Sequence, residues 1–365
     1  KSNNSNGTCT PTILNTLVKT ISSILLIILG FSSCSGENEK TLIKNEKKPT
    51  WQPIERITKS HLRGLYMVND SVAWASGTEG TVLKTTDGNT WTDISVPKAE
   101  KLDFRDIHGF DHNNALVMNS GNGLSIFRTS DGGATWNLVF NEADSNYFFD
   151  GMDFTKDGIG YAYGDPVDGK MTLIESIDFG THWNWVDEQF RPILDSAEAS
   201  YAASGTGIKV MADQVWIATS GGKKSHVYSR NRDFYQFTPN ETPLFSETGA
   251  GIFSMTFWNA NEGIIVGGSY IDSTNASSNC AITSDSGKTW DLITRNNPRG
   301  YRSCVATTTD GSLLLAVGRS GSDYSIDKGK TWIANGDEGY FSCTLSNETG
   351  WAVGRNGKMA RIILQ

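Results

Sequence analysis

The sequence has few of the residues that mark disulfide scaffolds, low-complexity tails or nucleic-acid binding. Only three of its five cysteines, Cys280, Cys304 and Cys343, lie beyond residue 48. That is too few for a disulfide framework, and it leaves open whether Cys304 and Cys343 pair or remain buried thiols. Nine prolines against 38 glycines exclude a proline-rich chain and favour tight turns between short strands. The net charge of -8 argues against general nucleic-acid binding, which needs a basic face. No dinucleotide-binding or metal-ligand spacing occurs, so we expect no cofactor and no metal.

No apolar run is long enough to cross a bilayer, which takes about 20 residues. Residues 21–31 form an apolar stretch of the length found in secretory signals. The stretch ends in small residues before Cys34, and this junction resembles the lipobox of bacterial lipoproteins. The resemblance implies a signal peptide over 1–34, lipidation of Cys34 and a flexible tether over 35–48. A plain cleaved signal is the alternative.

The polar, partly acidic tether resembles the surface-export signal of Bacteroidetes lipoproteins. We therefore expect an exported outer-membrane lipoprotein, facing the periplasm or the outside. It would contact the membrane only through the lipid anchor.

An internal repeat dominates the rest of the chain, with the pattern S/T-x-D-x-G-x-T-W. Its aspartates are Asp87, Asp131, Asp178, Asp285 and Asp327, of which the first lies in a copy one residue shorter. An aspartate in a turn accepts hydrogen bonds from nearby backbone N–H groups, and glycine permits the positive φ that such turns need. The closing tryptophan then packs between sheets. These aspartates are therefore predicted to be structural.

The pattern resembles the Asp-box, or bacterial neuraminidase repeat, of β-propellers. The tryptophans recur about every 48 residues, within the range of propeller blades. The gap between Trp183 and Trp290 is double and holds a degenerate unit, in which Tyr235 or Phe237 replaces the tryptophan. A seventh unit is split between the two ends of the region, residues 351–365 and 50–54. The sequence thus predicts an all-β, seven-bladed propeller over 49–365, closed by the N-terminal strand; six blades are the alternative.

Residues 49–365 as a whole resemble propellers of the photosystem II assembly and stability factor type. Stretches such as 249–254 and 300–305 carry this resemblance. It implies the fold and a binding or assembly role, without implying photosynthesis. Propellers host many unrelated activities, so the site has to be argued separately.

The starts of the innermost strands should meet at the mouth of a central funnel. Aligning the repeats places Arg63, Arg105, Asp150 and Arg302 at equivalent positions, with Glu198 and Tyr301 nearby. Three arginines in a funnel suit an anionic ligand such as a carboxylate. The alternative is a ring of mutually paired charges that only fills the channel.

The sequence favours a non-enzymatic binding or assembly module, monomeric, with a protein or glycan partner at the funnel. The alternative is a glycoside hydrolase, either sialidase-like or inverting. Glu198 and Tyr301 would then be candidates for the acid partner and the nucleophile. Such an enzyme needs two carboxyl groups about 5–9.5 Å apart, or a Tyr–Glu pair facing the arginines.

Overall fold

The computed structural model describes residues 48–121 and 123–365. The predicted signal peptide, Cys34 and nearly all of the tether lie outside these residues. Apart from two three-residue 3-10 helices, Glu188–Phe190 and Arg355–Gly357, the regular structure described is β-strand. Within the described ranges, no helix has the length and hydropathy needed to span a membrane.

Seven antiparallel sheets of four strands, here numbered blades one to seven, make up the fold. The strands of blades one to three are β2 (Leu62–Met67), β3 (Ala73–Gly77), β4 (Val82–Thr85), β5 (Trp91–Asp93), β6 (Phe104–Gly109), β7 (Ala115–Asn119), β8 (Leu124–Thr129), β9 (Asn137–Glu142), β10 (Phe149–Phe154), β11 (Gly160–Val167), β12 (Lys170–Ser176) and β13 (Asn184–Trp185). Those of blades four and five are β14 (Ile208–Met211), β15 (Gln214–Thr219), β16 (Ser225–Asn231), β17 (Thr238–Thr242), β18 (Ala250–Phe257), β19 (Gly263–Ser269), β20 (Cys280–Thr283) and β21 (Asp291–Leu292). Blade six contains β22 (Cys304–Thr307), β23 (Leu314–Gly318), β24 (Gly321–Ser325) and β25 (Ile333–Ala334).

Blade seven is built from both ends of the propeller. Its strands β26 (Ser342–Leu345), β27 (Thr349–Val353) and β28 (Met359–Leu364) are followed in space by β1 (Pro49–Ile54). β1 pairs antiparallel with β28, from Pro49 opposite Leu364 to Ile54 opposite Met359. The seven-bladed ring closed by the N-terminal strand is thereby confirmed, and the six-bladed alternative is wrong.

The apolar core lies between the blades rather than inside any one of them. Within the described residues, seven buried clusters form, one for each pair of neighbouring blades. The cluster at the closure joins Leu62, Leu83 and Trp91 of blade one to Trp351 and Met359 of blade seven. A single blade cannot bury its own faces, so each depends on its two neighbours.

The repeated turn is held by its aspartate. In blade six, Asp327 accepts hydrogen bonds at Oδ1 from the Ser325 hydroxyl (2.8 Å) and the Thr331 backbone N–H (2.9 Å). Its Oδ2 accepts from the Thr331 hydroxyl at 2.6 Å. Gly329 has a φ of 83°, and Trp332 Nε1 donates to the Gly329 carbonyl at 3.1 Å. The turn and the buried tryptophan are therefore one unit.

The same carboxylate-to-backbone bond recurs in the other copies of the turn. The acceptors are Asp87, Asp131, Asp178 and Asp285.

The degenerate unit forms blade four. Phe237 packs against the apolar cluster between blades three and four. Tyr235 is 68% exposed, so it does not replace the missing tryptophan. Of the two residues that the sequence offered for this role, Phe237 is the one that contacts the core.

Removing the Asp327 carboxylate should destabilise the fold. Asp327→Ala leaves the Thr331 N–H and two hydroxyls without their acceptor, and we expect the free energy of unfolding to fall by about 1 kcal/mol. The measurement is urea unfolding, with Asp291→Ala as the control, because Asp291 is an exposed aspartate on β21. Equal effects of the two substitutions would contradict a specific role for the turn.

The turn carboxylates should also make stability depend on acid. Hydrogen bonds from the Thr135 hydroxyl, the Thr135 N–H and the Thr129 hydroxyl lower the pKa of Asp131 to about 2. An unfolded aspartate titrates near pH ~3.9, so this stabilisation is complete above that pH and is lost as the pH falls through about 2. We expect the stability advantage over Asp131→Asn to shrink between pH ~4 and ~2. A gap that stays constant across urea titrations in that range would contradict this.

Candidate functional site

Irregular pairing at the start of the innermost strands turns particular side chains towards the central axis. In β2 the register passes from Leu62 opposite Gly77 to Gly64 opposite Ser76, so Arg63 is left outside the ladder. The same shift occurs around Arg105 in β6, Asp150 in β10 and Phe253 in β18. A bulge of this kind redirects the extra residue, and Arg63, Arg105 and Phe253 are brought to the funnel mouth in this way.

A cavity of about 910 Å³ opens at this end of the propeller. Its cationic lining consists of Arg63, Arg105, Arg319 and Arg355, with His61 beside them. Its aromatic lining consists of Tyr201, Phe253, Tyr270, Tyr301 and Phe341. Among the described side chains that line it, no aspartate or glutamate occurs. The cavity thus combines positive charge with ring surfaces.

The two inner arginines are half-buried and held differently. Arg105 Nε donates to Asp103 at 2.8 Å, and its Nη1 donates to the Ala202 carbonyl at 3.3 Å. Arg63 lies over the Phe341 ring, 4.8 Å from its centroid, and within the described chain its buried Nε has no hydrogen-bond partner. Burial, together with the nearby Arg105 charge, lowers the pKa of Arg63. This guanidinium is therefore the part of the cavity that gains most from an incoming anion.

The aromatic part of the cavity is rigidly packed. Tyr201 stacks on Phe253 with a centroid distance of 4.1 Å, and Tyr301 meets the same ring edge-on at 4.7 Å. Burial raises the pKa of Tyr301 well above the ordinary value for a phenol. Its hydroxyl is therefore protonated at neutral pH, and no carboxylate occurs among the described residues that line the cavity with it.

Arg302 does not belong to the funnel, and the expectation for it is corrected. Ser303 N donates to Val317 O, and Cys304 pairs with Val317, so Ser303 occupies the bulge position in blade six. Arg302 therefore precedes the bulge of blade six by one residue, as Leu62 does in blade one. Its side chain points into the interface between the sheets. It is fully buried and donates to Asp323, with Nε at 2.8 Å from Oδ2. Blade six thus contains a buried ion pair where blade one has a leucine.

Asp150 and Glu198 also lie outside the cavity lining. Asp150 is 1% exposed, and among the described residues its carboxyl oxygens have no hydrogen-bond partner. Burial, with Asp165 nearby, raises the pKa of Asp150 well above its ordinary range, so its neutral form is favoured. Glu198 accepts from His226 Nδ1 at 2.8 Å and from Asp195 N at 2.9 Å. Of the predicted funnel residues, the structure brings together Arg63, Arg105 and Tyr301.

The sequence analysis did not predict two arginines of the site, although a repeated segment of the sequence marks their position. Arg319 and Arg355 each follow a glycine at the end of the second strand of blades six and seven, in the repeated segment Ala-Val-Gly-Arg. Both arginines therefore lie in loops at the funnel end of their blades, beside the first residues of β22 and β26. Tyr270 lies in the connection from β19 to β20, which no repeat pattern marks.

The described chain does not assemble three or more histidine, cysteine or acidic side chains into a group able to hold a metal.

Comparisons with known proteins identify the fold. No protein-family model and no curated protein matches the sequence. Among solved structures, "YCF48 bound to D1 peptide" has a TM-score of 0.62 at 15% identity, covering 86% of this chain and 97% of that one. "YCF48 from Cyanidioschyzon merolae" has a TM-score of 0.61 at 15% identity, covering 86% and 98% of the two chains.

An enzyme is also among the similar structures. The GH74 xyloglucanase from Xanthomonas campestris has a TM-score of 0.63 at 13% identity, covering 86% of this chain and 53% of that one. At these identities the shared feature is the propeller, on which unrelated activities are built.

Truncation of Arg302 should destabilise the fold much more than truncation of Arg63. Arg302→Ala removes the guanidinium hydrogen bonds that Arg302 donates to the buried Asp323 and leaves the partly exposed Arg299 as its remaining ionic partner, and we expect the free energy of unfolding to fall by about 3 kcal/mol. Arg63→Ala should change it by less than about 1 kcal/mol, because a half-buried side chain loses mainly a ring contact. Chemical unfolding of both variants checks this. A larger loss for Arg63→Ala would show that Arg63 is structural rather than available to a ligand.

Proposed function

We propose that this protein is a non-catalytic binding module whose funnel holds an anionic segment of a partner protein. The observation that carries the proposal is the cavity lined by four arginines and by no carboxylate among the described side chains. Its volume of about 910 Å³ is in the range that takes a peptide segment or a drug-sized ligand. With the predicted export and lipidation at Cys34, the module would act at the cell envelope.

The four arginines of the cavity form two pairs with different roles. Arg319 and Arg355 are exposed at the rim, where their charge attracts an acidic partner over a distance. Arg63 and Arg105 are half-buried, where charge-assisted hydrogen bonds to a carboxylate are stronger than in water. The stacked pair Tyr201–Phe253 offers an apolar wall for the neighbouring part of the ligand.

The similar propeller "YCF48 bound to D1 peptide" supports a peptide as the class of ligand, because it shows that this fold holds one. The glycosidase alternative has less support at this cavity. Among the described residues, its lining includes neither two carboxyl groups nor a tyrosine facing a glutamate, one of which glycoside hydrolysis needs.

A randomised peptide library tests the proposal. Peptides with free carboxyl termini would be selected on the 365-residue chain, with the Arg63→Ala/Arg105→Ala variant as counter-selection. We expect enriched peptides to carry Asp, Glu or an essential terminal carboxylate. Each single alanine variant should weaken their binding by at least about tenfold, since a charge-assisted hydrogen bond contributes about 1.5–3 kcal/mol.

Arg128→Ala provides the matched control. Its guanidinium contacts Phe179 and Asn114 outside the cavity, so its loss removes the same charge without touching the funnel. Fluorescence anisotropy at two salt concentrations would compare the variants. Equal weakening by Arg128→Ala, or selection of neutral peptides, would refute the proposal. Binding confined to acidic glycans such as polygalacturonate would refute a protein partner.

A further inference from the structure

Two cysteines face each other across the innermost strands of blades six and seven. Cys304 opens β22 and Cys343 lies in β26, and their sulfur atoms are 4.0 Å apart. Both are free thiols, 0% and 4% exposed. A disulfide bond is about 2.05 Å long, so the two sulfurs are unbonded here and would have to approach by about 2 Å to form one.

The surroundings of Cys304 favour its thiolate. Its sulfur lies 3.4 Å from the Cys343 backbone N–H, and the hydroxyls of Ser342 and Thr206 donate to it at 3.8 Å. Hydrogen bonds, the largest from the Cys343 thiol, lower the pKa of Cys304 against the opposing effect of its burial, whereas burial raises the pKa of Cys343. Because the thiolate is the reactive form, Cys304 is the nucleophile of the pair and Cys343 the resolving thiol.

A small oxidant has space beside Cys343 and beside Thr206, whose hydroxyl contacts the Cys304 sulfur. Cys343 lines a second cavity of about 170 Å³, further along the innermost strands than the arginine-lined mouth. Water takes up about 30 Å³ per molecule in the liquid, so the cavity has room for molecules of the size of hydrogen peroxide. Hydroxyl and carboxyl groups line it as well, including Ser204, Thr206 and Asp153.

We propose that Cys304 and Cys343 form a peroxide-oxidisable dithiol that cross-links blades six and seven. The Cys304 thiolate attacks one peroxide oxygen; an S–O bond forms, the O–O bond breaks, and the departing hydroxide takes a proton to become water. The Cys343 thiol then loses its proton and its sulfur attacks Cys304, so that the S–S bond forms, the S–O bond breaks and a second water leaves. Two thiols and one hydrogen peroxide thus give one disulfide and two waters.

Cys280 is the internal control. It is also free and fully buried, but it lies on β20 in a different cluster, between blades five and six, where burial raises its pKa. If burial alone set reactivity, Cys280 and Cys304 would react alike. If the close approach of two thiols sets reactivity, only Cys304 and Cys343 will be oxidised.

Mass spectrometry of the full chain treated with hydrogen peroxide tests the proposal. After denaturing alkylation, trypsin cuts around residues 303–319 and 331–355, which separates Cys304 from Cys343. We expect a cross-linked product of these two peptides, reversed by dithiothreitol, while Cys280 stays alkylated. In Cys343→Ser, dimedone should trap a sulfenic acid at Cys304 instead.

Three results would overturn the proposal. One is that peptides 303–319 and 331–355 remain separately alkylated after peroxide treatment. Another is that Cys280 is oxidised at the same rate as Cys304. The third is that the cross-link forms only after unfolding in urea, which would make it a property of the denatured chain.

Discussion

The structure depends on closing a ring of sheets, none of which can bury its own faces. The innermost strands contact one another in sequence, β2 with β6, then each with the next, and finally β26 with β2. The last contact exists because β1 supplies the outer strand of blade seven and pairs with β28 over six residues. The split of one blade between the two ends of the propeller therefore joins the first sheet to the last and leaves no open interface in the ring.

Closure of the ring also creates the central funnel, where a ligand site can form. The repeated turns lie at the outer side of their blades, away from the central axis. Their aspartates form local hydrogen bonds that stabilise the fold. The residues at the funnel take no part in these turns and can therefore differ without disrupting them. At the funnel, bulges interrupt the pairing of four innermost strands, and three of the bulged residues line the cavity. Arg63 and Arg105 occupy two of these positions, and Phe253 occupies another. The bulged residues and the loops that follow the second strands, which carry Arg319 and Arg355, therefore set the chemistry of the cavity together.

The repeat pattern was enough to predict the seven blades, the closing strand and the unit without a tryptophan. These features follow from local rules: an aspartate-bearing turn, a glycine of positive φ and an aromatic residue that must be buried. Arg302 was misplaced because an alignment of repeats cannot show on which side of a bulge a residue falls. A displacement by one residue turns the side chain to the opposite face. Tyr270 was missed for another reason, since its loop has no counterpart in the other blades.

Arginine therefore plays two opposite roles in neighbouring parts of this propeller. Arg302 is fully enclosed and tolerated because Asp323 neutralises it within the sheet interface. Arg63 lies one register position away in its own blade, where it reaches the cavity and meets the Phe341 ring instead of a carboxylate. This guanidinium is partly desolvated and its Nε has no hydrogen-bond partner among the described residues, so an entering anion would offset part of the cost of its burial. The same residue type thus stabilises the fold at one position and favours an anionic ligand at the next.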